Sequence, residues 1–243
     1  SRGGTTAAVL LGTLVFGLGG LAWAVLLVAF FVSSSALSRL FGRRKAGLTA
    51  VFSKGGQRDA AQVLANGGAA GLFVLLHALF PLESWPWAAF AGSLAAVNAD
   101  TWATELGVLS RTAPRLITTG RVVERGTSGA VSGVGTLAAF GGALLIGALA
   151  APLGGGGIGL VVGVALAGLA GSLVDSALGA ACQALYICPT CQKETERHPY
   201  HTCGTVTELR RGWRWMNNDL VNVLCALSGA VLAAALFFIT KGI

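Results

Sequence analysis

Between Asn98 and Ser132 the sequence NADTWATELGVLSRTAPRLITTGRVVERGTSGAVS sets two carboxylates in an apolar stretch and follows them with arginines and a Gly/Thr/Ser turn. Asp100 and Glu105 offer the hard oxygen ligands that suit Mg²⁺, an ion that keeps several waters and bridges phosphates. Arg121 and Arg125 present planar forks for phosphate oxygens, and Thr127 and Ser128 add neutral donors at the start of a helical run. Together these groups are what a metal-bound nucleotide requires. A purely structural pairing of acid with arginine would need far fewer hydroxyls and glycines beside it.

The acids close an apolar run that opens near Trp85, and ionisable groups inside a bilayer span are rare, costly and functional by default. At about 100° per residue Asn98, Thr101 and Glu105 share one helical stripe while Asp100 and Thr104 share another. A helix polar over that much of its circumference cannot face lipid. It must be enclosed by other spans, line a wet cavity, or unwind around Asn98 to Asp100.

The elements that hold these residues follow from composition. With 54% hydrophobic and 11% charged residues, the chain is expected to be an all-α polytopic membrane protein and not a soluble domain. Six apolar runs are long enough to cross: Thr5 to Val32, Asn66 to Pro81, Trp85 to Leu109, Ser128 to Ala151, Gly154 to Ala181 and Leu220 to Thr240. They make one transmembrane domain over 1–243, with a cytosolic loop at 182–216. The second run is short, so its helix is expected to begin earlier, near Arg58. The chain opens on Ser and not Met, which suggests a missing upstream segment, and Thr5 to Val32 is too long for a signal peptide's apolar region.

Seventeen Lys and Arg stand against ten Asp and Glu, and their placement speaks of topology more than of a nucleic-acid partner. They cluster between spans one and two, three and four, and five and six, which puts these loops in the cytosol and both termini outside. The polar residues within the spans then all fall near the cytosolic ends. Asn66, Asp100, Glu105, Ser128, Ser132, Asp175, Asp219 and Asn222 come to one depth on five helices.

The first span carries no charge and is assigned packing alone. In the loop after it, SKGGQRDAAQVLANGG sets Lys54 and a Gly pair before a helix on which Arg58, Asp59, Gln62 and Asn66 share a face. Such a segment can form a nest of N–H groups for phosphate, although it does not match a P-loop. An internal echo hints at a three-helix duplication: GTLVFGLGGLAW resembles GTLAAFGGALLI, and AGSLAAVNADT resembles AGSLVDS. In the second of these, Asp175 with Ser172 and Ser176 on one stripe suits a further metal contact, a closely packed phosphate, or a polar bond to a neighbouring helix.

The loop at 182–216 holds Cys188, Cys191, His198, His201 and Cys203. In a reducing compartment C-x₂-C followed by H-x-C fits tetrahedral Zn²⁺, with Cys188, Cys191, His201 and Cys203 as ligands and His198 as a competitor. Four protein ligands leave no open position, so the zinc would be a structural clasp. After it, Trp213, Arg214 and Trp215 suit a membrane interface, and Asn218, Asp219 and Asn222 share a face as the last span begins.

SKGGQRDAAQVLANGG, NADTWATELG, ERGTSGAVS, CPTC with HTCG, and NNDLVN together resemble the membrane family that includes phytyl-phosphate kinase, over nearly the whole chain. The DT-x-A-x-x-x-G core with its downstream basic-x-x-Ser-Gly segment is also similar to a wider group of CTP-using membrane enzymes: phytol and dolichol kinases and CDP-diacylglycerol synthase. The resemblance implies nucleotide and metal binding at Asp100, Thr101 and Glu105, with Arg125 and Ser128 downstream. Arg125 stands where relatives often carry Lys, and the cysteine loop is absent from the wider group. The function it implies is a CTP-dependent kinase that phosphorylates a membrane-embedded prenyl monophosphate in a bacterial inner or plastid-type membrane. Asp100, Glu105 and Asp175 would hold Mg²⁺, with Asp219 as a further possible ligand. Lys54, Arg58, Arg121 and Arg125 would contact phosphates, and Asn66, Asn98, Asn218 and Asn222 would orient them. A cytidylyltransferase, a polyprenol kinase and a transporter built on repeats are the competing readings.

Overall fold

The computed structural model describes residues 1–41 and 58–241, so Lys54 and its Gly pair lie outside the described residues. Among the described residues seven helices are formed: α1 (Arg2–Gly19), α2 (Leu21–Phe41), α3 (Ala60–Leu79), α4 (Trp85–Gly107), α5 (Gly133–Leu153), α6 (Ile158–Ala181) and α7 (Asn218–Lys241). Two short strands, β1 (Arg115–Leu116) and β2 (Ala130–Val131), pair between α4 and α5. Three more, β3 (Leu185–Cys188), β4 (Lys193–Thr195) and β5 (Glu208–Arg211), form a sheet between α6 and α7.

The largest departure from the six expected spans is at the first. Gly20 adopts φ 77°, a conformation that any residue with a Cβ resists, and the chain breaks there into α1 and α2. Ser1 reaches the carbonyl of Arg58 through its hydroxyl at 3.1 Å, whereas Trp23 stacks on His77 with ring centroids 4.8 Å apart. Since Arg58 and His77 stand at opposite ends of α3, α1 and α2 form an antiparallel hairpin. The amino terminus therefore lies at the same end as the basic loops, against the expectation that both termini share the other side. The echo GTLVFGLGGLAW spans this break, while GTLAAFGGALLI runs unbroken within α5.

Among the described residues five helices, α2, α3, α5, α6 and α7, are long and apolar enough to cross a membrane. The polar α4 is not among them, for a reason its packing supplies. It touches α2, α3, α5, α6 and α7, and every residue from Pro86 to Ala99 is buried. A helix with protein on all sides is freed from the demand that lipid makes on its neighbours, so it can carry Asn98, Asp100 and Glu105. α3 begins at Ala60, near Arg58 as expected, with Asp59 and Gln62 closing a reciprocal capping box.

Small residues allow this enclosure. A Cβ on Gly92 of α4 would strike the Ala233 side chain and the Gly229 carbonyl of α7, and one on Gly171 of α6 would press on Ala96 and the Cys225 carbonyl. Without a hydrophobic drive between helices in lipid, such close backbone approach supplies the packing energy. Gly92→Leu is expected to separate α4 from α7 and to lower the detergent-solubilised midpoint of thermal unfolding by roughly 5 °C or more, read by tryptophan fluorescence, in line with overpacking costs of about 1–3 kcal/mol.

Candidate functional site

The inward polar groups meet in a cavity of about 510 Å³ at the basic end of the bundle. α2 contributes Ser38, α3 Gln62 and Asn66, α4 Asp100, Thr101, Thr104 and Glu105, α6 Ser172, Asp175 and Ser176, and α7 Asn218 and Asn222. Arg58 enters from just before α3. Arg125, Gly126, Thr127, Ser128, Gly129 and Ser132 close one wall from the loop before α5.

Local structure explains how that loop is held. β1 and β2 pair Arg115 with Val131, and Val123 N–H donates to the Pro114 carbonyl. The Arg125 guanidinium donates to the Ser110 carbonyl at 2.6 Å, tying the loop to the end of α4. Gly129 has φ 81° and lies against Ala180, so a side chain there would meet both backbone strain and the end of α6. Ser128 was expected to open the fourth span. The helix instead starts at Gly133, where Ser132 caps it by accepting from Gly135 N–H at 3.1 Å.

Two charged pairs organise the interior. Asp100 and Asp175 come from different helices yet lie close enough to feel each other's charge. Two carboxylates converging among hydroxyls and amides form a hard, oxygen-rich donor set that fits Mg²⁺. On the neighbouring wall Glu105 accepts from the Ser38 hydroxyl at 2.8 Å and acts electrostatically on Arg58. Burial draws the Arg58 guanidinium below its ordinary value, and the Glu105 carboxylate opposes that shift. Arg58 also lies 5.7 Å above the Phe30 ring and 5.8 Å above the Phe31 ring.

Four expected site residues stand elsewhere. Asn98 is fully buried away from the cavity, where its Oδ1 accepts from Ser33 at 2.9 Å and Ser34 at 3.2 Å and its Nδ2 donates to Gly142 O at 2.8 Å. It joins α2, α4 and α5, a task for which a two-sided amide is well suited. Asp59 is spent on the α3 cap, and Arg121 is exposed in the β1–β2 loop beside Thr119. Asp219 lines a second cavity of about 340 Å³. Sequence reasoning also passed over two groups. Ser38 belongs to a helix for which only packing was expected, and Glu196 comes from the cysteine loop to line the main cavity.

That loop is joined to the site by a chain of hydrogen bonds. Ser128 donates to Gln183 Oε1 at 2.9 Å, and Gln183 Nε2 donates to Glu196 at 2.8 Å. Arg211 of β5 reaches the carbonyls of Gly179, Ala180 and Ser128, clasping the end of α6 to the loop before α5. β3 lies between β4 and β5, and beyond its end the ligand atoms of Cys188, Cys191, His201 and Cys203 lie within 4.8 Å of one another. Cys188 Sγ and Cys203 Sγ are 3.5 Å apart, and His201 Nδ1 is 3.2 Å from Cys203 Sγ. This cluster could hold a metal ion. His198 is turned away from it, stacked on Tyr186 with centroids 4.5 Å apart. The Thr205 hydroxyl and the His201 ring pull the Cys203 thiol down to about 5, while the hydrogen bond with Cys203 pushes Cys191 up to about 11. A proton held between sulfurs in this way is what a bound metal would displace.

A helical membrane protein with an acid-and-arginine cavity at one end of its bundle is the class that fold and geometry define. The chain belongs to the family described as integral membrane protein DUF92, which matches residues 1–230, as the motifs led one to expect. Among its relatives, Protein PGR of Arabidopsis thaliana is 35% identical over 190 residues, 68% of this chain and 65% of that protein. The uncharacterized membrane protein MJ0933 of Methanocaldococcus jannaschii is 39% identical over 163 residues, 66% of this chain and 65% of its own length. Protein VTE6, chloroplastic, also of Arabidopsis thaliana, is 27% identical over 238 residues, 96% of this chain and 64% of that protein. The chain thus spans slightly under two thirds of the length of these three relatives. No solved structure matches it.

Proposed function

We propose that the chain is a prenyl-phosphate kinase that transfers the γ-phosphoryl group of a nucleoside triphosphate, CTP by family resemblance, to a prenyl monophosphate of the phytyl phosphate type. The observation that carries this reading is the convergence of Asp100 and Asp175 with Arg58 and Arg125 in one polar cavity at the basic end of an otherwise apolar bundle. The basic end faces the cytosol or its plastid equivalent by the positive-inside rule. A lipid acceptor keeps its chain among the helices there and its phosphate at the cavity, within reach of a soluble nucleotide.

An oxygen of the acceptor phosphate forms the new bond to the γ-phosphorus, the bond from that phosphorus to the β–γ bridging oxygen breaks, and the nucleoside diphosphate leaves with the electron pair. The acceptor is already ionised near neutral pH, so no strong general base is needed and catalysis reduces to positioning and charge neutralisation. Asp100 and Asp175 would hold Mg²⁺, which supplies charge neutralisation on the phosphates when bound. Arg58 and Arg125 neutralise phosphate oxygens, Glu105 keeps Arg58 oriented, Thr127, Asn66, Asn218 and Asn222 donate to the remaining oxygens, and Ser128 braces the wall through Gln183. The cysteine cluster would hold Zn²⁺ as a structural clasp, since three sulfurs and one imidazole nitrogen suit that ion.

The test uses purified chain in detergent with prenols, prenyl monophosphates, Mg²⁺ and labelled nucleotides. Label from the γ position is expected in a prenyl diphosphate. Label from the α position in the lipid would replace this reading with cytidylyl transfer, and substrate flux through proteoliposomes without nucleotide consumption would replace it with transport.

A further inference from the structure

The second cavity adjoins the first, for Glu196 and Asn218 line both. Its remaining walls differ in kind from those of the acid-and-arginine chamber. Tyr186 and His198 form a stacked pair with rings inclined by only 10°, and Tyr200 stands largely exposed beside them. Arg197 has its Nε buried with no hydrogen-bond acceptor among the described residues. Arg214, Asn217 and Asp219 complete the polar edge. We infer that this cavity is the nucleoside subsite, holding the base and ribose of the nucleotide while its phosphates pass the Glu196–Asn218 threshold into the main cavity.

The inference rests on the nucleotide-dependent reading above and says which part of the chain recognises the non-reacting end. About 340 Å³ falls in the range of small-molecule sites. Flat rings offer a face on which a base can stack, worth roughly 1–3 kcal/mol in nucleic-acid complexes. Arg197 lines the cavity with a planar guanidinium, a group that can donate to a base carbonyl or a ribose oxygen. The subsite is built between β3, the segment after β4 and the start of α7, outside the membrane-crossing helices, where a soluble ligand has access.

The experiment compares wild type with Tyr200→Ala and Arg197→Lys using two phosphoryl donors, CTP and inorganic tripolyphosphate, and measures CMP binding by titration calorimetry. Both variants are expected to raise KM for CTP about tenfold or more, leave KM for tripolyphosphate unchanged, and weaken CMP binding in parallel. A KM for CTP equal to wild type in both variants would overturn the subsite and leave the kinase reading standing. If the wild-type chain transfers phosphate from no donor, the kinase reading fails and calorimetry alone decides. CMP binding that is weakened in the variants then supports the subsite. No CMP binding by wild type, or binding that the variants leave intact, refutes it.

Discussion

Asp100→Asn is expected to lower phosphoryl transfer by roughly 10²–10³-fold, the scale of removing one charge-stabilising group from an active site, while leaving the thermal midpoint unchanged or raised. The reason lies in the pair to which it belongs. Asp100 and Asp175 approach from separate helices and repel. Replacing one by its near-isosteric amide relieves that repulsion and removes a charge that a bound cation would have balanced. A residue whose removal costs activity but not stability is one that the fold carries for function. On the proposed reading, in which both would act through one bound ion, Asp175→Asn should give the same pattern and the double variant should lose little more than either single one. Turnover assays with differential scanning fluorimetry on the three variants decide the point. Near-normal turnover in Asp100→Asn would remove it from the metal site.

What the sequence disclosed about this cavity was governed by cost. A carboxylate in an apolar run is expensive enough that Asp100, Glu105 and Asp175 stood out, and all three line the cavity wall. Hydroxyls are cheap in a helix, so Ser38 gave no comparable signal, although it holds Glu105 at 2.8 Å. Helical periodicity ranked Asn98 beside Thr101 and Glu105, yet a stripe does not say whether its upper end meets a cavity or another helix. Asn98 meets helices, bonding Ser33, Ser34 and Gly142. Hydropathy summed over Thr5 to Val32 hid the hairpin, because a reversal written in one positive-φ glycine leaves the mean unchanged. The threading of Glu196 into the cavity depends on a sheet whose pairing joins residues far apart in sequence, and no local pattern announces it.

Loss of the metal clasp is the second large effect expected. β3 ends in Cys188, and β4 begins two residues after Cys191, so a metal held by this cluster would fix the turn between the two strands at one end, and through His201 and Cys203 the long connection from β4 to β5. β3 buries Leu185 and Tyr186 but β4 and β5 bury no apolar side chain, and metal binding in such modules is worth on the order of 10 kcal/mol at neutral pH. Cys188→Ser is therefore expected to abolish metal content, measured by inductively coupled plasma mass spectrometry as a fall from about one ion per chain to near zero, and to open 188–207 to limited proteolysis. The helices should keep their circular dichroism, since α4, α5, α6 and α7 pack chiefly on one another. Activity should still fall about tenfold or more, because Glu196 and Gln183 lose the support that holds Ser128 at the cavity mouth. Cys225→Ala, buried in α7 away from the cluster, serves as the control and should retain its metal. The pH dependence has a definite sign. Cys203 is held well below the ordinary thiol value, so its contribution is complete above that value and is lost as pH falls toward about 5. Protection of the metal-free loop from limited proteolysis should fall as pH drops through that window. A variant lacking metal but fully active would show instead that the sheet holds its shape, and the cavity mouth with it, through its own hydrogen bonds.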